Sequence, residues 1–156
     1  MAHAAEHAAA FEPTLVTPKP ARRVAVVACM DARLDLFSIL GLKPGDAHLI
    51  RNAGGVATDD VIRSLAISQR KLETREVVLV HHTNCGLLMF TEDEFRAELQ
   101  ADTGLKPTWA AEAFTDLDAD VRNSMQRIRT SPFIPHRDQV RGFVYDVETG
   151  TLREVI

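Results

Sequence analysis

Apolar and polar positions change rhythm at regular intervals along this chain. From Arg23 the run "RVAVVA" is apolar throughout, small and β-branched, which is the pattern of a strand covered on both faces. The following "LDLFSIL" reads as a helix that Gly41 ends, and "KPGD" turns the chain into a short strand, "AHLIR". After the loop "NAGGVAT", the segment "DDVIRSLAISQRKL" sets Val61, Ile62, Leu65, Ala66 and Leu72 at near-helical spacing, with Thr58 placed to cap it. "EVVLVHH" is a third strand. "TEDEFRAEL" opens with the Thr91 and Glu94 pair of a capping box, and in "DLDADVRNSMQRIR" Leu117, Val121, Met125 and Ile128 share one helical face. "VRGFVYDV" is the fourth strand, and a tight "ETG" link leads into "TLREVI", an expected antiparallel edge strand.

Strands separated by helices imply an α/β fold: a mostly parallel sheet with flanking helices, right-handed crossovers and a C-terminal antiparallel edge strand; a 2-1-3-4 order is expected because it places the ends of the first and third strands together at the switch point. The expected organisation is an N-terminal arm over residues 1–22 and one α/β domain over 23–156. The arm is Ala-rich, then punctuated by Pro13, Pro18 and Pro20, and reads as a short helix followed by extended chain. It cannot bury Phe11 and Leu15 by itself, so it is expected to pack on a second copy.

Composition narrows the function classes. A net charge of -4, with 46% hydrophobic and 26% charged residues, describes an ordinary globular chain without the basic footprint of a nucleic-acid binder. No stretch approaches the roughly 20 apolar residues of a membrane span. His3, Glu6, His7 and Glu12 interrupt the N-terminal region where an export signal would need an apolar run, so a soluble, cytoplasmic protein is expected. In that setting the two cysteines are expected to be thiols, ligands or core residues rather than a structural disulfide.

The chemistry gathers at strand ends. In a sheet of 2-1-3-4 order, ligands sit beyond the carboxyl ends of strands where the order reverses. Cys29, Asp31 and Arg33 follow the first strand in "CMDAR"; His82 and Cys85 follow the third in "HHTNCG". Two thiolates and one imidazole suit zinc, which is tetrahedral and borderline-soft. His81 is the less favoured ligand, because adjacent strand residues face opposite ways and only His82 stands at H-x-x-C spacing. Asp31 has two available roles: fourth donor in a closed site, or, held by the planar fork of Arg33, an acceptor for the water it has let in.

"CMDAR" and "HHTNCG", with "IRNAGG" and "DDVIRSLAIS" between them, resemble the β-class carbonic anhydrases, in particular their small bacterial members, from about Arg23 to the C-terminus. The resemblance implies Zn2+ on Cys29, His82 and Cys85, with Asp31 and Arg33 as an orienting dyad. It also implies reversible hydration of carbon dioxide to bicarbonate and a homodimer or dimer of dimers. Zinc lowers the pKa of bound water toward roughly 7 when three His hold it; two thiolates donate more charge, so a higher working pH is expected.

Three rivals are kept. Carbonyl sulfide and carbon disulfide hydrolases resemble the same family and use the same kind of site. A structural zinc closed permanently by Asp31 gives no role to Arg33, and a metal-free thiol redox module lacks the C-x-x-C spacing. In "IRNAGG", Gly54 and Gly55 serve either an ordinary turn or a close backbone approach, and Arg51 and Asn52 receive no catalytic role. Trp109 is expected to pack, with a pocket-lid role as the alternative, and His3, His7, His48 and His136 are left outside the site.

Overall fold

Among residues 2–11 and 17–156, which the computed structural model describes, five strands form one sheet. β1 (Val24–Cys29) lies between β2 (Ala47–Asn52) and β3 (Glu76–His82). β4 (Val140–Tyr145) follows β3, and β5 (Leu152–Val155) forms the far edge, in the order β2-β1-β3-β4-β5. All pairs are parallel except β4 with β5. The expected strand order and the antiparallel edge are both borne out.

The continuous apolar run of β1 has a direct cause. Ala25 and Val27 pack with Val61 and Leu65 of α3 (Asp59–Leu72) and with Val121, Met125 and Ile128 of α5 (Leu117–Thr130). Val26 and Ala28 point the other way, into a cluster with Leu34, Leu36, Val56, Val80 and Leu87. Both faces are therefore dry, and β1 carries no polar alternation. Gly142 in β4 lets α5 sit directly on the sheet, since a Cβ there would lie 2.4 Å from Val121 Cγ1.

Helix ends follow the sequence signals. Thr58 accepts a hydrogen bond from the Val61 amide, and Thr91 and Glu94 complete the capping box of α4 (Glu92–Thr103). α2 (Leu36–Leu40) is shorter than expected at its start, because Asp35 takes the cap and leaves Leu34 outside, while Gly41 ends it at φ 59°. α1 (Ala2–Ala9) buries none of its residues. Phe11 is exposed; Leu15 lies outside the described residues. Closer to the sheet, the Ala21 and Arg22 amides donate to the Gly45 and Asp46 carbonyls, tying the chain to the turn before β2.

Candidate active site

The carboxyl ends of β1 and β3 meet because the two strands pair in parallel up to Ala28 and Val80. Cys29 and His82 are the last residues of these strands rather than the first beyond them. Cys85 follows after a turn in which Asn84 is left-handed at φ 53°, a conformation Asn tolerates better than most side chains. The donor atoms of Cys29, His82 and Cys85 all lie within 4.8 Å of one another, and the two sulfurs are 4.0 Å apart. All three residues are buried, and both cysteines are free thiols.

Hydrogen bonding fixes how these donors present themselves. His82 Nδ1 lies 2.8 Å from the Thr83 carbonyl, which can only accept, so Nδ1 carries the proton and Nε2 keeps its lone pair. That Nε2 is buried without a partner. The neighbouring Cys85 thiol, helped by His82 and opposed by burial, lowers Cys29 from 9.0 to about 4. The same contact, with burial, pushes Cys85 far above its ordinary value. Burial disfavours protonated His82, but the adjacent Cys29 sulfur and the Thr83 carbonyl outweigh it and raise its pKa. An unpartnered imidazole lone pair beside two buried sulfurs suits a metal ion as a donor set.

Asp31 stands at the edge of this cluster, with Oδ2 3.7 Å from His82 Nε2. Arg33 holds it: the Arg33 amide and Nε each donate to Oδ1 at 2.9 Å, and Nη2 donates to Oδ2 at 2.7 Å. These bonds keep the carboxyl well below the usual range. The same Nη2 donates to the Asn84 carbonyl at 2.9 Å, so Arg33 ties the "CMDAR" loop to the "HHTNCG" turn. Asn84 is in turn held by Glu148, whose Oε1 accepts from its amide at 3.0 Å.

The "IRNAGG" segment serves close approach. At φ 75°, Gly55 packs against strand β1, and a Cβ on it would stand 2.8 Å from the Cys29 amide nitrogen. Asn52 accepts from the Met30 amide at 2.7 Å through its carbonyl. A cavity of about 630 Å³ opens beside Cys29, Asp31 and Cys85, with Leu87, Phe90 and Phe95 in its wall. Trp109 departs from its expected packing role: it is 57% exposed and lines this cavity, 6.5 Å from the Phe95 ring.

The remaining histidines lie apart. His81 points to the opposite face from His82, with Nε2 2.8 Å from Asp120 Oδ2. His3 pairs with Glu6, His7 stacks on Phe11, His48 bonds to Ser68 and the Pro18 carbonyl, and the His136 backbone is held by Gln69.

Comparison with known proteins gives one answer at every level. The family model described as carbonic anhydrase matches residues 24–114. Beta-carbonic anhydrase 1 of Mycobacterium tuberculosis is 54% identical over 99% of this chain and 94% of its own length. A carbon disulfide hydrolase from Acidianus is 35% identical over 85% of this chain and 77% of its own. The crystal structure of a carbonic anhydrase from Streptococcus mutans superposes with a TM-score of 0.91 at 44% identity, covering 99% of this chain and 93% of that one. With the sequence likeness and the backbone likeness running almost end to end, the chain belongs to the β-class carbonic anhydrase family.

Proposed function

We propose that this protein catalyses the reversible hydration of carbon dioxide to bicarbonate and a proton, as a zinc-dependent lyase. The single observation that carries the reading is the buried, unpartnered His82 Nε2 converging with the Cys29 and Cys85 sulfurs beside an Arg-held carboxylate. Cys29, His82 and Cys85 would hold Zn2+. When bound, zinc supplies a Lewis acid that makes a water nucleophilic near neutral pH.

The chain's own residues supply the rest. Arg33 and its amide occupy Oδ1 of Asp31 twice and Oδ2 once, which leaves acceptor capacity on the oxygen that faces the cluster. Because Asp31 stays ionised, it accepts and does not donate, so it orients an incoming water by taking one of its protons in a hydrogen bond. Leu87, Phe90 and Phe95 offer an apolar wall suited to an uncharged, apolar substrate. Bicarbonate, being charged, gains little from that wall and leaves for water.

The pairing of Asp31 with Arg33 favours catalysis over a structural metal, since the carboxylate is directed to the guanidinium and not to the thiols. Carbon disulfide hydrolases are the more distant relatives, at 35% identity against 54%, which favours carbon dioxide over carbon disulfide. The reading extends to a cytoplasmic homodimer or dimer of dimers, with residues 1–22 as an arm and 23–156 as the catalytic domain. No helix among the described residues is long and apolar enough to cross a membrane. The exposed Phe11 supports a partner-contacting arm. Metal analysis with stopped-flow carbon dioxide hydration over a pH series tests the activity: one zinc per chain and a rate rising with pH are expected. Zinc-loaded protein that does not accelerate hydration, or that prefers carbon disulfide in a parallel assay, overturns it. Deletion of residues 1–20 should lower the mass seen by sedimentation.

A further inference from the structure

β1 ends at Cys29, level with Asn52 of β2, and one side chain takes the backbone carbonyls at and just beyond this strand end. Arg51 on β2, level with Ala28 in the parallel register, donates from Nε to the Cys29 carbonyl at 3.0 Å and from Nη2 to the Asp31 carbonyl at 2.6 Å. A planar guanidinium fork with two donors on one edge matches this spacing, and an ammonium does not. Asp31 is thus held by its carboxylate, on Arg33, and by its carbonyl, on Arg51 and the Leu34 amide.

We propose that Arg51 is a positioning residue for the reaction, which fixes the Asp31 peptide so that the carboxylate stays on Arg33 and outside the thiol and imidazole cluster. This rests on reading Cys29, His82 and Cys85 as metal ligands. The geometry leaves little margin, because Asp31 Oδ2 is already 3.7 Å from His82 Nε2. Rotation of the peptide after Met30 would carry the carboxylate inward. Arg33, itself tied to the Asn84 carbonyl, holds the carboxylate but makes no bond to the Asp31 peptide. Arg51 sits on a separate strand and supplies the fixed reference. Asp31 then remains available to water instead of becoming a fourth protein ligand.

The alternative is a plain backbone clamp whose loss loosens the whole loop, and the two make opposite predictions. In Arg51→Ala, zinc release to a chelator becomes at least about threefold slower, because Asp31 closes the coordination shell. A loosened clamp instead releases zinc faster, as loss of an outer-shell partner does. Turnover falls about tenfold or more with KM for carbon dioxide within about twofold, since the substrate wall is untouched while the Asp31 geometry is lost. Arg51→Lys, which keeps the charge but offers a single nitrogen in place of the two-nitrogen fork, lies between the two and serves if Arg51→Ala folds poorly. Adding Asp31→Ala to Arg51→Ala abolishes the slow release. In a crystal structure of either Arg51 variant, Asp31 is displaced from Arg33 toward His82. Faster zinc release, or an Asp31 still bonded to Arg33 as in the parent, overturns the proposal. The crystallographic result stands even if the parent protein proves inactive toward carbon dioxide, which would overturn the functional reading alone.

Discussion

Gly55→Ala tests whether the site is built by backbone contact, and two other glycines serve as its controls. Gly41, Gly54 and Gly55 have similar positive φ values of 59°, 78° and 75°, so an alanine at each carries a left-handed cost of about 1–2 kcal/mol. Reduced freedom of the unfolded chain returns about 0.4–1 kcal/mol at each. What differs is the space. An added Cβ at Gly41 meets nothing within 4 Å, so the net loss there is about 1 kcal/mol. At Gly54 the nearest atom is Leu87 Cδ1 at 2.5 Å, the end of a side chain that can turn away. At Gly55 the nearest are the Cys29 nitrogen at 2.8 Å and the Ala28 carbonyl carbon at 2.9 Å, in a strand fixed by β2 and β3. Overpacking of that kind adds about 1–3 kcal/mol, so Gly55→Ala is expected to cost roughly 2–4 kcal/mol in all. In thermal melts at fixed zinc, with about 2–4 °C per kcal/mol for a chain of this size, Gly55→Ala should lose at least about twice the Tm shift of Gly41→Ala. It should also bind less metal, because the displaced backbone carries the Cys29 sulfur with it. Equal shifts for Gly41→Ala and Gly55→Ala, with full zinc in both, would refute the reasoning.

Cys85→Ser should largely abolish zinc binding, and full metal content in that variant by elemental analysis would contradict the assignment of the three ligands. Metal-free protein at pH 7 should show about one thiolate per chain by ultraviolet absorbance, since Cys29 is lowered to about 4 and Cys85 raised. Two thiolates, or none, would contradict these opposed shifts. Arg33→Ala should hydrate carbon dioxide more slowly with zinc still bound, and wild-type rates across the pH series would reduce the dyad to an ordinary ion pair. The same variant fixes a sign: a carboxyl depressed in the fold stabilises above its unfolded pKa near 4 and loses that contribution as pH falls toward its lower folded value. The Tm difference between Arg33→Ala and the parent should therefore be full at pH 7 and shrink below about pH 4, and a constant difference would argue against the Asp31 contribution.

Local periodicity and capping determined most of the fold by themselves. The dry run of β1, the helical spacing of Val61 and Leu65, and the Thr58 and Thr91 caps each involve residues close in sequence, whose preferences act before distant contacts form. The 2-1-3-4 order was expected because it brings the Cys29 and His82 segments to one switch point, and the chemistry of Cys29, His82 and Cys85 was legible because two thiols and an imidazole at parallel strand ends have few other uses. Tertiary structure decided what depends on residues far apart along the chain. Sequence could not choose between a turn and a close approach for Gly55, because the choice depends on the Cys29 backbone that β2 lays beside it. Nor could it join Asn84 to Arg33, show that Trp109 faces a cavity, or bring Arg51 to the Cys29 and Asp31 carbonyls. Each of these is set by contacts between residues far apart along the chain, and a chain read one residue at a time does not contain that distance.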